Sequence, residues 1–373
     1  MTKVGIISYY KTINYGSVLQ AYALQTTIRK MGYGCEHIRY SSGRSLAFRL
    51  FAAIRRPQKA LNVILSRRTT RGLLYREFID QYIVESKHLY RSLNELESAN
   101  NSYETFVCGS DQIWAPNQFN ERYYLGFVKE KNKKIAYAPS IGLPAIPDAL
   151  KSRMASLIND IGFLSVREKD GAQLIRELTG IDVPVVLDPT LLLTTEEWLN
   201  ISKTPNFNEP YILCHFLGKS PKHRELAKCY ARATGLKTVV LPFSKCDYSW
   251  GDITLTDAGP REYLGLVHNA NIIFTDSYHG MLFSLNLNRP FNVFMRFSES
   301  HVLCQNSRIV NILDKFNLWK RLVKEDVLEI EQEDDIDYHD INSMLDDERK
   351  CSIEYLRDSL QDSVRSEGGQ LHE

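Results

Sequence analysis

The sequence NIIFTDSYHGMLFSLNLNRP, residues 271–290, decides the fold. An apolar run of strand character at 272–274 ends in a polar turn, and apolar residues at helical spacing follow from Met281. This order puts the turn at the carboxyl end of a strand, beside the free N–H groups of a helix, where open α/β sheets bind anionic ligands. The alternative is a capped helix, with Asp276 or Ser277 as the N-cap and no chemical role for His279. The candidate substrate-binding residues are Thr275, Asp276, Ser277 and Gly280, and the candidate catalytic residue is His279.

Strands and helices alternate in the same way through both halves of the chain. Strands are predicted at 4–9, 36–40, 105–108, 134–138, 163–166, 183–187, 211–216, 238–242, 272–275 and 291–294. Helices are predicted at 17–31, 150–161, 169–179, 221–234, 260–269 and after His279. This spacing is typical of parallel, doubly wound sheets. We therefore predict an α/β protein with two Rossmann-like domains that face each other across a cleft.

Loop signals and charge suggest the domain boundaries. Residues 194–209 contain two loop signals and are predicted to form a hinge. We expect an N-terminal domain at 1–195 with a basic helical insertion at about 41–76, and a C-terminal domain at 210–320. Residues 321–373 are predicted to form an acidic connector and a C-terminal helix at 351–360, which crosses back onto the first domain.

The small net charge of +1 conceals two segments of opposite sign. Arg44–Arg76 contains nine basic residues and no acidic one, whereas Glu325–Glu348 contains twelve acidic residues and no lysine or arginine. The acidic run is interpreted as a solvated connector. Apolar residues at helical spacing among the arginines suit a helix lying on an anionic membrane surface. The alternative is a helical pair packed on the domain with a solvated basic face.

Composition limits the class of protein. The chain of 373 residues is 43% hydrophobic and 24% charged, which is ordinary for a soluble globular protein, and its near-zero charge does not suggest nucleic acid. Its seven cysteines include no C-x-x-C pair, so we expect buried thiols in a reducing compartment. No signal peptide or membrane-spanning run is apparent. We expect a cytoplasmic protein, located at the inner face of the cell membrane if the basic segment binds lipid.

Two loops of the first half are polar where packing alone does not require it. Asn14-Tyr15-Gly16-Ser17 opens a helix, and Gly109-Ser110-Asp111-Gln112 follows a strand. Glycine lets the backbone approach a ligand, and a helix N-terminus favours an anion. Asp111 is the second candidate catalytic residue, since it is expected to accept a proton from a sugar hydroxyl or to position it, unless it is only an N-cap. The chain lacks G-x-G-x-x-G and Walker A sequences, so nicotinamide and ATP chemistry have no support.

A third polar loop contains Arg167 and Glu168 at a strand end. Arginine offers a bidentate fork to a carboxylate or phosphate, which makes both residues candidates for substrate binding. The alternative is a surface ion pair that contributes little. Asp188-Pro189-Thr190 is interpreted as a turn that closes the first domain.

The combination of these pieces resembles the polysaccharide pyruvyltransferase family. The matching sequences are NYGSVLQAYAL, VCGSDQIW, SVRE, VLDPTLLL and IIFTDSYHGMLFSLNLNRPF, and the resemblance covers roughly residues 3 to 300. It implies a glycosyltransferase-B-like fold and transfer of the enolpyruvyl unit of phosphoenolpyruvate onto a sugar, usually as a cyclic ketal. The implied partners are this donor and a saccharide, which we expect to be linked to a lipid diphosphate in surface or capsular polysaccharide synthesis. No further cofactor and no metal are expected.

The candidate residues suit this chemistry. A positioned imidazole can act first as an acid and then as a base, while arginines and helix N-termini can hold the carboxylate and phosphate of the donor. Several relatives carry an arginine two residues before the histidine, where this chain has Ser277. Another branch of the family has a Thr-Asp-Ser-aromatic-His-Gly turn of the form found here. The cations that could replace that arginine are Arg167, Lys245, Arg289, Arg296 and Arg308.

Two other functions are compatible with the sequence. A nucleotide-sugar-dependent glycosyltransferase of the same fold would need a uracil and diphosphate site in the second domain. A non-catalytic scaffold for polysaccharide assembly would bind the membrane through the basic segment and release no phosphate.

Overall fold

The computed structural model describes residues 2–41, 69–297, 305–324, 326–330 and 336–368, with side chains up to 365. The chain divides into two compact units. Unit 1 holds Met1–Ile141, Ala145–Leu192 and Lys350–Glu373, and unit 2 holds Gly142–Pro144 and Leu193–Arg349. Most of the basic insertion predicted at 41–76 lies outside the described residues.

Unit 1 is built on a six-stranded sheet in which all neighbouring strands are parallel. Its strands are β1 (Lys3–Ile7), β2 (Gly34–Tyr40), β3 (Glu85–Tyr90), β4 (Thr105–Gly109), β5 (Lys134–Tyr137) and β6 (Phe163–Leu164). They lie in the order β3-β2-β1-β4-β5-β6, which is the strand order of a Rossmann fold. In this register, Ile6 pairs with His37 on one side and Val107 on the other.

The edges of this sheet differ from the predictions. The strand predicted at 163–166 ends at Leu164, and the one predicted at 183–187 is wrong, since Val185 forms only an isolated bridge with Val166. Pro184 has no N–H to donate, and the N–H of Leu187 bonds to Ser352 instead of a strand. The unpredicted β3 is an edge strand with two exposed residues in its middle, so it lacks a continuous apolar pattern.

Among the described residues of unit 1, five α-helices lie before Leu192. They are α1 (Tyr15–Lys30), α2 (Thr70–Tyr82), α3 (Leu93–Glu97), α4 (Asp148–Asn159) and α5 (Lys169–Thr179). Asn14 caps α1, and Gly32, with a φ of 90°, follows its end. Leu24 and Ile28 of α1 are fully buried, as are Phe106 and Trp114 in the main core cluster.

Unit 2 repeats the strand order of unit 1. Its strands are β7 (Tyr211–His215), β8 (Lys237–Val240), β9 (Ile253–Thr254), β10 (Ile272–Thr275), β11 (Phe291–Phe294) and β12 (Leu322–Val323). All neighbours are parallel in the order β12-β11-β10-β7-β8-β9, so β7 and β10 correspond to β1 and β4. The edge strands β9 and β12 were not predicted, because two residues each carry no periodic signal. The fold class, an α/β protein with two Rossmann-like units, is therefore confirmed.

The helices of unit 2 pack around this sheet. They are α6 (Thr195–Leu199), α7 (Pro221–Thr234), α8 (Pro260–Asn269), α9 (Tyr278–Asn286) and α10 (Ser307–Lys315). A capping box at Thr194 begins α6, so the stretch predicted as a hinge contains a short helix. Every residue of α9 is buried, so the helix has no solvent-exposed polar face.

The last helix, α11 (Tyr338–Gly368), is much longer than the helix predicted at 351–360. Its first turns belong to unit 2, where Ile341 and Leu345 are buried, and its later turns belong to unit 1, where Leu356 and Leu360 are buried. The interpretation of Glu325–Glu348 as a connector is therefore wrong for its second half. The acidic residues there occupy the polar faces of a helix whose apolar positions are four residues apart.

The structure also bears on the burial of the cysteines and on membrane-spanning helices. Of the six cysteines described, Cys35, Cys108 and Cys214 are buried, but Cys246 and Cys351 are exposed, so the expectation of uniformly buried thiols is wrong. Among the helices of the described residues, none has the length and apolar character needed to cross a membrane.

Candidate functional site

Each sheet has a topological switch point, where the chain leaves two neighbouring strands in opposite directions. It lies between β1 and β4 in unit 1, and between β7 and β10 in unit 2. Ligands of open α/β sheets bind in the crevice outside the carboxyl ends of such strands. The residues that follow these four strands are therefore the candidate site residues.

Ser17 and Asp111 are hydrogen-bonded across the switch point of unit 1. The N-cap Asn14 accepts a hydrogen bond from Ser17 N at 3.1 Å, and Ser17 Oγ donates to Asp111 Oδ2 at 2.6 Å. Asp111 has a φ of 60°, in the left-handed region, and its carbonyl accepts from the N–H of Ser140 at 2.8 Å. Strained conformations of this kind cluster at functional sites, which supports Asp111 as a site residue.

Gly109 and Ser110, which precede Asp111, have structural partners. A Cβ at Gly109 would lie 2.5 Å from Leu24 Cδ2, so the glycine allows α1 to pack against β4. Ser110 Oγ donates to the carbonyl of Ala138 at 2.9 Å in the interior of the unit. Both residues are buried and have their contacts within the unit.

The remaining candidates in these two loops differ in their burial and contacts. The ring of Tyr15 packs against that of Tyr75 with centroids 5.4 Å apart, and Gly16 is buried in the first turn of α1. Gln112 is partly exposed directly after Asp111.

Arg167 belongs to a buried ion network. Its Nη1 donates to Asp188 Oδ2 at 2.6 Å, its Nε lies 3.7 Å from Glu168 Oε2, and the three side chains are at most 2% exposed. Glu168 also accepts hydrogen bonds from Ser140 Oγ and Ile141 N. The alternative of a surface Arg167–Glu168 pair is wrong, because burial makes the network a structural element whose disruption is costly. Asp188 forms the predicted turn and holds the guanidinium as well.

In unit 2, the His279 turn is tied to the strands on both sides. Thr275 Oγ1 donates to the carbonyl of His215 at 2.7 Å and accepts from Ser277 N at 3.0 Å. Ser277 is the N-cap of α9, and its Oγ accepts from Gly280 N at 3.3 Å. Of the two N-caps considered, Ser277 is thus the one observed. A Cβ at Gly280 would lie 2.5 Å from Thr275 Oγ1, so glycine is required by packing.

Asp276 joins the loops after β7 and β10. Its fully buried carboxylate accepts from Leu217 N at 2.6 Å and from Gly218 N at 2.8 Å. Arg296, two residues beyond β11, donates from Nη2 to the carbonyl of Asp276 at 2.9 Å, with its Nε 3.9 Å from Asp276 Oδ1. Burial lowers the pKa of Arg296, and the Asp276 charge opposes that effect.

His279 lies in the first turn of α9 and is 9% exposed. Its ring and that of Tyr278 meet edge to face with centroids 5.3 Å apart, and the guanidinium of Arg308 lies 5.3 Å from the Tyr278 ring centroid. Unit 2 thus gathers an imidazole, a carboxylate, a helix N-terminus and two arginines at one switch point. Such a set can transfer a proton and bind an anion.

The five candidate cations are now distinguishable. Arg296 and Arg308 contact residues of the His279 turn, whereas Arg289 follows the opposite end of α9. Arg167 belongs to unit 1, and Lys245 lies in a short 3-10 turn after β8. Among the described residues, no group of three or more histidine, cysteine or acidic side chains is arranged to hold a metal ion.

Sequence reasoning missed the residues that support the loop after β7. Arg224 donates to Asp247 Oδ1 from Nε and Nη2 and to the carbonyls of Gly218 and Ser220. His223, in the first turn of α7, packs on Phe294 with ring centroids 4.7 Å apart, and burial lowers its pKa while the Asp276 charge opposes this. The sequence could have indicated both residues, because they lie in the first turn of the helix that follows a switch-point strand.

Comparison with known proteins gives one family and several distant folds. The profile of the family described as polysaccharide pyruvyl transferase matches residues 14–296. No curated protein sequence matches significantly.

Similar solved structures include UDP-GlcNAc 2-epimerase of Methanocaldococcus jannaschii, with 14% identity and a TM-score of 0.47 over 84% of this chain and 92% of that one. Heptosyltransferase WaaC of E. coli has 10% identity and a TM-score of 0.40, over 93% and 100% of the two chains. Glycosyltransferase SnogD of Streptomyces nogalater has 11% identity and a TM-score of 0.44, over 95% of each chain.

Proposed function

Because the chain belongs to the polysaccharide pyruvyl transferase family, we propose that it transfers the enolpyruvyl unit of phosphoenolpyruvate onto a saccharide and closes a pyruvate ketal. The observation that carries the proposal is the His279 turn of unit 2. It combines an imidazole, a helix N-terminus and Arg296 at a switch point, which are the groups that a reaction of an anionic enol phosphate requires.

The reaction needs two proton transfers that a single imidazole can serve. A proton is added to the methylene carbon of phosphoenolpyruvate, and a sugar hydroxyl attacks the adjacent carbon. Cleavage of the carbon–oxygen bond then releases phosphate, and a second hydroxyl attacks to close the ketal. The diol thus gives up two protons, one to the new methyl group and one to phosphate. His279 is the proposed acid and base of these steps.

Arg296 is the residue proposed to bind the anionic groups of the donor. It takes the role of the arginine that several relatives carry at the position of Ser277. It lies beside Asp276 at the carboxyl end of the neighbouring strand and keeps 22% of its side chain exposed. Arg167 is the weaker choice, because its guanidinium is held between two buried carboxylates. The N–H groups at the start of α9 add partial positive charge on the side of His279.

Asp111 is the proposed contact for an acceptor hydroxyl in unit 1. Its carboxylate already accepts a hydrogen bond from Ser17 Oγ, which fixes its orientation, and the strained backbone holds it outside β4. Asn14 and the first turn of α1 support this arrangement.

The acceptor is proposed to be a saccharide linked to a lipid diphosphate, and the basic segment Arg44–Arg76 is proposed to bring the protein to an anionic membrane. The support comes from the sequence of this segment, whose nine basic residues and lack of acidic ones favour attraction to an anionic membrane surface.

The decisive experiment is incubation with phosphoenolpyruvate and a panel of lipid-diphosphate-linked saccharides, with detection of the ketal by mass spectrometry and of phosphate release. A parallel thermal-shift series compares phosphoenolpyruvate with nucleotide sugars. Stabilisation by nucleotide sugars alone would favour a glycosyltransferase, and phosphate release without ketal formation would refute the proposal.

A further inference from the structure

A cluster of aromatic rings around one arginine lies near Asp111 in unit 1. We call Tyr9, Tyr40, Arg122 and Tyr123 the Arg122 cluster. The guanidinium carbon of Arg122 lies 4.4 Å from the ring centroid of Tyr40 and 4.5 Å from that of Tyr123. The rings of Tyr9 and Tyr123 meet edge to face with centroids 4.8 Å apart.

The cluster lies at the carboxyl end of the sheet. Tyr9 follows β1, Tyr40 ends β2, and Arg122 and Tyr123 belong to a 3-10 turn after β4. Burial is the main cause that raises the pKa values of Tyr9 and Tyr123. The charge of Asp111 also raises both pKa values, and the charge of Arg122 lowers both. The charges of Asp111 and Arg122 therefore act in opposite directions on the same two phenols.

Arg122 differs from Arg153 and Arg167 of the same unit in its described partners. Its Nη2 donates to Tyr123 Oη at 2.6 Å, and within the described part of the chain no acidic side chain forms an ion pair with it. The segment 42–68, which follows Ser41, contains no acidic residue. By contrast, Arg153 pairs with Glu121 and Arg167 with Asp188.

The guanidinium of Arg122 is partly desolvated and has no described carboxylate partner, so it can bind the anionic group of a ligand. Stacking between rings fixes its plane, and the planar fork then matches a phosphate or carboxylate. The half-buried faces of Tyr9 and Tyr40 add apolar surface beside hydroxyl and carboxylate groups, a mixture that suits a sugar ring with its C–H and O–H groups.

We propose that the Arg122 cluster, together with Asp111, binds an anionic saccharide, with the guanidinium on its anionic group and the tyrosines against its sugar ring. The ligand is taken to be the acceptor, and in that respect alone the inference rests on the proposed function. The anionic group is a phosphate or a sugar carboxylate, which share the chemistry that arginine recognises.

The test measures binding by calorimetry to the full chain, using glucose, galactose, mannose and N-acetylglucosamine, their 1-phosphates, glucuronic and galacturonic acids, and inorganic phosphate. At least one sugar phosphate or sugar acid is expected to bind more tightly than its neutral sugar and than phosphate. Arg122→Gln should weaken that binding by about tenfold or more, since charge-assisted hydrogen bonds are lost. Arg153→Gln is the matched control and should bind normally, since the Arg153 side chain is 51% exposed and pairs with Glu121.

Several outcomes would overturn the inference: no binding by any anionic sugar, equal binding by the neutral sugar or by phosphate alone, or unchanged binding by Arg122→Gln. If Arg122→Gln fails to fold, Arg122→Lys replaces it and should weaken binding because lysine lacks the fork. Phosphoenolpyruvate is titrated separately. Sugar-phosphate binding without donor binding would refute the proposed function alone, whereas donor binding without sugar-phosphate binding would refute this inference alone.

Discussion

Asp276→Asn removes one charge from the centre of unit 2 while keeping the size of the side chain. The native carboxylate is fully buried and accepts N–H groups from Leu217 at 2.6 Å and Gly218 at 2.8 Å. The amide of asparagine has one acceptor oxygen, so one buried N–H loses its partner and faces an N–H₂ group. A buried unsatisfied donor costs roughly 1–3 kcal/mol, and the loss of charge weakens the remaining bond as well.

Together these terms predict that Asp276→Asn lowers the free energy of unfolding of unit 2 by about 2–4 kcal/mol. At about 2–4 °C per kcal/mol for a unit of this size, its calorimetric transition should fall by about 4–16 °C. Hydrogen exchange gives a more local measurement, because the amides of Leu217 and Gly218 should lose protection more than those of β8.

Asp252→Asn is the matched control. Asp252 also accepts two hydrogen bonds, from Thr238 N and Oγ1 at 2.8 Å each, but it is exposed and water can replace the lost bond. Its transition should move by much less. If Asp276→Asn leaves the protection of Leu217 and Gly218 unchanged, or if the two variants are equally destabilised, the assigned role of the Asp276 carboxylate is refuted.

Three further predictions concern catalysis, donor binding and membrane binding. His279→Gln should lower kcat by about 10²–10⁴-fold in the ketal-forming assay with a nearly native melting temperature, and retention of most activity would leave the histidine a structural residue. Arg296→Lys should raise KM for phosphoenolpyruvate more than KM for the acceptor, whereas Arg167→Lys should mainly lower the melting temperature, and the reverse pattern would exchange their roles. Binding to anionic vesicles should weaken with rising salt, because exposed charges are screened beyond ~8–10 Å at physiological ionic strength. It should also weaken on substitution by glutamine of Arg55, Arg56, Arg67 and Arg68, and wild-type protein that ignores such vesicles at low salt contradicts the membrane proposal.

The sequence predicts this fold where the signals are local. The His279 turn was predictable because a strand, its polar end and a helix follow each other within 20 residues, and Ser277 carries the cap by itself. The long helix α11 was obscured because its many acidic residues resemble a solvated connector, although Ile341 and Leu345 repeat at helical spacing.

The contacts that define the sites are not local. Arg167 meets Asp188 only after the chain has passed through α5, and Asp276 meets Gly218 across 58 positions. A residue type at a strand end therefore identifies a candidate without showing whether its charge is available to a ligand or already bonded within the protein. Arg122 shows the same limit, since it packs on the ring of Tyr40 at the end of β2, which is far away in the sequence.

The bracing of the loop after β7 by Asp276 has a consequence for the thermodynamics of donor binding. Ordering one residue of a mobile backbone costs roughly 1–2 kcal/mol of conformational entropy, and many anion-binding loops lose that entropy only when the ligand arrives. Here Leu217, Gly218 and the side chain of Arg224 are held by hydrogen bonds within the protein itself. Association with a small anion at this crevice should therefore proceed without a large unfavourable entropy from the loop, and with little change in the hydrogen exchange of its amides.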